Sequence, residues 1–248
     1  MDHHITPRVP WVVGITGASG TPYAAAVIRG LLDAGEAVDL VVSRAARLTM
    51  VDETGQSFRE ARWRTDMKAF LGRDPGDMTV WRADDFAAGP ASGTYPTRGM
   101  VIVPATTAAV AGVATGMSKD LIQRAADVTL KERRPLVMVV RETPLRRVSL
   151  QQMADLAGEG AVILPASPGF YAGARDVRQL VDFVAAKVLD VIRVPHTLSV
   201  RWSGRLGAGR DADAFADDPY DPDPDPAGAA AADAEPGPRP QGEARTGA

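Results

Sequence analysis

Three short clusters of small and hydroxylated residues in this chain are suited to holding an anion. Ser19 lies in Gly17-Ala18-Ser19-Gly20, Ser43 closes the largely apolar run 37–42, and Thr106 and Thr107 follow the run 100–104. Each sits just after an apolar stretch and at or before the start of a helical pattern. Unpaired backbone N–H groups and hydroxyls at such a place can hold a dianion. Gly14, Gly17 and Gly20 alone would suit an ordinary tight turn equally well, and their spacing differs from the dinucleotide fingerprint. Recurrence at three strand ends favours a phosphate. Ser43 stands where a dinucleotide enzyme would carry its ribose-binding acid, so a mononucleotide fits better.

A second group is cationic. Arg124 and Lys131 are seven residues apart in a helical pattern spanning 118–133 and so share a face, and Arg141-Glu142 ends an apolar run at 136–140. Taken alone, Lys131-Glu132-Arg133-Arg134 reads as a solvated helix end. Arg141-Glu142 falls where open parallel sheets bind ligands, and a carboxylate among cations could move a proton. Glu53 is either a surface acid or a base above the site, and composition favours the surface. Tyr171, in Pro168-Gly169-Phe170-Tyr171, is a packed aromatic or a phenol on an anion, and Trp202 reads as a packing anchor.

What is missing narrows the chemistry. The chain has no cysteine, and its histidines are His3, His4 and His196, so a transition-metal site or a Cys/His nucleophile is not expected. Asp52-Glu53 and Asp84-Asp85 do not form the paired aspartate-rich motifs that hold magnesium diphosphates. Cations must therefore balance a phosphorylated ligand directly.

The elements that would position these groups alternate. Apolar runs at 11–16, 37–42, 100–104, 136–140 and 161–164 read as strands. Helical spacing follows at 23–32, 45–52, 118–133 and 177–192. Strands apolar throughout, alternating with helices, predict a parallel sheet covered on both faces. Residues 55–99 are less regular.

The formal charge of −3 over 248 residues hides an asymmetry: residues 205–248 hold ten acids against four arginines, leaving 24 basic and 21 acidic residues before them. With seven of the 19 prolines and little apolar bulk, this tail is expected to be disordered. No segment suggests a signal peptide or membrane span, and the absence of cysteine agrees with a reducing, cytoplasmic location. Nothing points to a nucleic acid or membrane partner.

Seven ordered motifs then resemble the flavin prenyltransferases of the UbiX/Pad1 family. They are Thr16-Gly17-Ala18-Ser19-Gly20, Pro90-Ala91-Ser92-Gly93, Ala114-Thr115-Gly116, Arg124-Ala125-Ala126-Asp127, Leu130-Lys131-Glu132-Arg133-Arg134-Pro135, Arg141-Glu142-Thr143-Pro144 and Pro168-Gly169-Phe170-Tyr171. The resemblance covers about residues 9–204, with an extension at 1–8 before it. It implies a single α/β domain, a flavodoxin-like or Rossmann-like three-layer sandwich. It also implies an enzyme that joins the dimethylallyl group of dimethylallyl monophosphate to N5 and C6 of reduced FMN without a metal. Prenylated FMN then serves a UbiD-type decarboxylase, and members typically form homododecamers with sites between subunits.

By motif, the resemblance places FMN against Gly17, Ala18, Ser19, Ser43, Ser92, Thr106, Thr107, Ala108, Ala109 and Arg141. The prenyl phosphate would meet Phe86, Arg124, Lys131, Glu142, Tyr171, Lys187 and Trp202. Ser19 and Glu53 would move protons at the flavin, which reverses the surface reading of Glu53. Three positions depart from the family: Lys187 replaces a usual arginine and its bidentate fork, Phe86 replaces a frequent tryptophan, and 104–109 carries fewer hydroxyls. Two alternatives remain open. One is a non-catalytic FMN carrier or accessory subunit of a decarboxylase. The other is a flavin-dependent cysteine decarboxylase, which the missing interior histidine disfavours.

Overall fold

The computed structural model describes residues 8–199. Most of the expected extension at 1–8, the tail at 205–248 and Trp202 lie outside the described residues. Six parallel strands form one sheet: β1 (Trp11–Ile15), β2 (Val38–Val42), β3 (Met78–Trp81), β4 (Gly99–Ala105), β5 (Leu136–Val140) and β6 (Val162–Pro165). Their spatial order is β3-β2-β1-β4-β5-β6, all neighbours being parallel. The helices are α1 (Thr21–Asp33), α2 (Arg44–Thr54), α3 (Trp63–Leu71), α4 (Thr107–Ala114), α5 (Leu121–Lys131), α6 (Arg147–Gly158) and α7 (Val177–Val191).

Why the strands read as unbroken apolar runs is visible in the layers. Alternate residues of one strand feed two separate cores. Val13, Ile15, Leu40 and Val101 face α1, α2, α3 and α7, whereas Val12, Val41, Met100 and Met138 face α4, α5 and α6. A strand buried on both faces has no polar side to alternate with. The order 3-2-1-4-5-6 reverses between β1 and β4, and this switch point opens a crevice above their carboxyl ends. The β1–α1, β2–α2 and β4–α4 turns, which carry the three hydroxyl clusters, all lie there.

The long helix expected over 118–133 is shorter. Ser118 has a positive φ of 46°, and Asp120 caps α5 by accepting the Gln123 N–H at 3.0 Å. Residues 55–99 hold α3 and the four-residue β3, and α6 also lay outside the expected pattern. The unexpected strand is short and only partly buried beyond Met78, so its apolar signal is weak.

Candidate active site

The floor of the crevice is fixed by Thr16. Its hydroxyl donates to the Pro104 carbonyl at 2.7 Å and accepts the Thr106 N–H at 2.9 Å, tying the end of β1 to the end of β4. In the sequence this buried threonine stands out only as part of the glycine motif. Its position at the strand's last turn was the signal available. Gly17 follows because no side chain fits there: a Cβ would lie 2.5 Å from that of Ala45 at the start of α2.

Two helix starts then face the crevice. Ser43 caps α2 by accepting the Ala46 N–H at 3.1 Å, and Thr106 caps α4 by accepting the Ala109 N–H at 3.0 Å. Each hydroxyl spends a lone pair on its helix and keeps its own proton to donate. Neither first turn carries an acid. Both termini therefore present positive dipole ends and O–H donors to the same cavity of about 490 Å³, which Gly17, Ala108, Ala109, Leu48 and Ile122 also line. A lining that mixes hydroxyls and helix-start N–H groups with the apolar Leu48, Ala108, Ala109 and Ile122 suits a phosphorylated, flat, largely apolar molecule. FMN has that chemistry.

At the other side of the β1–α1 turn, Glu53 reaches back from the last turn of α2. Its carboxylate accepts the Gly20 N–H at 2.8 Å, the Thr21 N–H at 2.8 Å and the Thr21 hydroxyl at 2.6 Å. Burial pushes its pKa up, but hydrogen bonds from the Ser19 and Thr21 hydroxyls and two backbone N–H groups outweigh that and hold it below the ordinary value. Gly20 offers no capping side chain to α1, and Glu53 takes that place. The surface reading from composition fails because these orphan N–H groups need an acceptor. Arg141, just beyond β5, donates through Nε to the Ser19 carbonyl at 3.0 Å. Tyr23 stands near both Arg141 and Glu53, its phenol pKa raised chiefly by burial.

The remaining expected residues fall into two other groups. The Arg124 Nε donates to the Ala91 carbonyl at 3.1 Å and its Nη1 to Asp127 at 2.9 Å, pinning the Pro90-Ala91-Ser92-Gly93 loop to α5. Ser92 Oγ bonds Thr94 Oγ1 at 2.9 Å, and Lys131 pairs with Glu132 against Gly93. Arg134 holds the same loop through the Gly93 and Tyr95 carbonyls, a purely structural use of a motif residue. Half-exposed Phe86 borders a second cavity beside the crevice. Tyr171, in the turn before α7, meets Phe183 of α7 edge-on at 5.7 Å between ring centroids, with Lys187 one turn further along the helix and paired to Asp190.

One chain does not bring Lys131 to Arg141 and Glu142. Lys131 ends α5 and precedes β5, whereas Arg141 and Glu142 follow β5. Five strand residues rise about 16 Å, so Lys131 lies toward the amino end of β5 and Arg141 and Glu142 at its carboxyl end. Among the described residues no group of three histidines, cysteines or acids is placed to hold a metal ion, and no helix is long and apolar enough to cross a membrane.

Residues 3–189 match the family model described as Flavoprotein. The chain is 59% identical over 213 residues to the flavin prenyltransferase UbiX of Streptomyces coelicolor, covering 82% of this chain and 99% of that protein. It belongs to the UbiX family of flavin prenyltransferases. Among solved structures, AnUbiX in complex with FMN and dimethylallyl pyrophosphate superposes with a TM-score of 0.72 at 34% identity, over 80% of this chain and all of that one. A dodecameric FMN-dependent UbiX-like decarboxylase from Escherichia coli O157:H7 gives 0.70 at 34% identity, over 79% and 100% of the two chains. Family membership agrees with the flavodoxin-like or Rossmann-like sandwich and with the phosphate-and-apolar character of the crevice.

Proposed function

We propose that this UbiX-family chain joins a dimethylallyl group from dimethylallyl monophosphate to N5 and C6 of reduced FMN. The observation that carries this reading is the Ser19–Glu53–Arg141 cluster beside a phosphate-suited crevice at the switch point of the sheet. Gly17, Ala18, Ser43, Thr106, Thr107, Ala108 and Ala109 would hold FMN. When bound, reduced FMN supplies the electron-rich ring atoms that accept the prenyl group, so the protein needs no nucleophile of its own.

The chain's residues handle protons and charge. Glu53 stays ionised and takes the Ser19 hydroxyl proton in a hydrogen bond, which leaves Ser19 Oγ free to accept a proton arriving from the flavin side. Arg141 fixes the Ser19 backbone and places a positive charge beside the pair. Glu142, exposed at the end of β5, would return a proton to the departing phosphate. Arg124, Lys131, Tyr171 and Lys187 would stabilise the phosphate as its bond to the prenyl carbon breaks. Phe86 is a wall for the prenyl chain, and Ser92 a further flavin contact.

The placement of Lys131 and Glu142 at opposite ends of β5 supports a site assembled between copies of the chain, as a homododecamer would provide. A store for FMN alone has no use for a second set of cations, which favours catalysis over carriage. The product would serve a UbiD-type decarboxylase in the cytoplasm. The test of that destination is to pass the reaction filtrate to a cofactor-free UbiD-type decarboxylase. Activation only by filtrate made with both FMN and prenyl donor is expected, and equal activation by FMN alone would overturn it.

A further inference from the structure

We propose that Arg44 and Lys119 are the cations that neutralise the 5′-phosphate of FMN and make the crevice prefer FMN over riboflavin. This rests on the reading of the crevice as the FMN site and adds two residues to it. Both side chains line the 490 Å³ crevice and also the second cavity beside it, so they stand at the rim where the two meet.

Their neighbours are already committed. Arg47 and Arg82 in the second cavity are paired with Glu60 and Asp84. Asp120, the acid at the rim, caps α5. Among the described residues, no ion pair joins Arg44 or Lys119 to an acid. Arg44 is also misplaced by local rules. It opens α2, where the helix dipole repels a cation, and no acid in that turn compensates. A dianion between the starts of α2 and α4 changes the sign of that interaction. It would accept the Ser43 and Thr106 hydroxyl protons and face two unspent positive charges.

The 104–109 loop supplies no cation of its own, ending in Ala108 and Ala109. Lys119, on the loop before α5, brings a charge to the same cavity. A neutral ribityl hydroxyl, as in riboflavin, gains little from either group.

Fluorescence titration of the full-length chain with FMN and with riboflavin tests this. Lys119→Gln and Arg44→Gln should each weaken FMN by about fivefold to tenfold, as expected for loss of a charge-assisted contact open to solvent. Riboflavin affinity should stay within about twofold, and Lys119→Arg should restore most of the FMN affinity. Wild-type affinity for FMN, and not for riboflavin, should fall as salt rises. A double variant that binds FMN like the wild type, an equal loss for riboflavin, or salt-independent FMN binding would each overturn the assignment. A wild-type chain that binds neither flavin would instead remove the FMN reading beneath it.

Discussion

Glu53 caps a helix to which it does not belong. Its carboxylate, on α2, accepts the Gly20 and Thr21 N–H groups that open α1, each at 2.8 Å. The same group that closes a helix end thus orders the Ser19 turn on which the proposed proton transfer depends. Structure and chemistry are coupled in one side chain.

Replacing Glu53 with glutamine therefore has two readouts. The folded-state pKa of Glu53 is depressed, so its contribution to stability is present above its ordinary value of 4.5 and is lost as pH falls through the folded value. Glu53→Gln should lower the melting temperature at pH 7, by an amount equivalent to about 1 kcal/mol for a lost cap, and the gap to wild type should close in acid. Prenyl transfer should fall at least tenfold at temperatures where the variant is folded. Thermal melts at several pH values and anaerobic rates check both, and a pH-independent gap would contradict the capping role.

Gly17→Ala tests the crevice floor. The added methyl would meet the Ala45 Cβ at 2.5 Å, and both partners are held by backbone. Overpacking of this kind costs about 1–3 kcal/mol. The β1–α1 turn should yield and FMN affinity should drop, as measured by flavin fluorescence, whereas Gly158→Ala, with open space around it, should leave FMN affinity unchanged.

Arg141→Lys retains a positive charge but loses the fixed guanidinium that holds the Ser19 carbonyl at 3.0 Å. The expected result is a larger fall in kcat than in flavin affinity, and steady-state kinetics beside a binding titration separate the two. Equal losses would assign Arg141 to binding alone.

Complementation tests the separation of Lys131 from Glu142. If each site takes Lys131 from one copy and Glu142 from another, Lys131→Ala and Glu142→Gln should each be nearly inactive alone. Subunits of the two variants, dissociated and reassembled together, should regain activity, because some mixed sites then receive both wild-type residues. No recovery on mixing would place both residues in one chain's site.

Much of this was legible in the chain. The central strands gave themselves away because burial on both faces removes any polar alternation, as in Trp11–Ile15 and Leu136–Val140. The hydroxyl clusters were legible because Ser43 and Thr106 must cap helices at strand ends. Glu53 was legible only through the family resemblance, because its partners Gly20 and Thr21 are more than thirty residues away and nothing local distinguishes it from a surface acid. The separation of Lys131 from Arg141 and Glu142 also escaped the pattern. Motif order does not record which end of α5 lies at which end of the strands. Thr16 and Arg134 act through tertiary hydrogen bonds to carbonyls that no spacing rule identifies.

The central claim is that this chain transfers a prenyl group to a flavin, and the mass of the flavin reports it directly. The full-length chain is incubated anaerobically with reduced FMN and dimethylallyl monophosphate, and the released flavin is weighed by mass spectrometry. A flavin heavier by one dimethylallyl group, formed at least tenfold more slowly by the Glu53→Gln variant, is the expected result. Unchanged FMN released from wild-type protein that binds it would contradict the claim and leave a carrier.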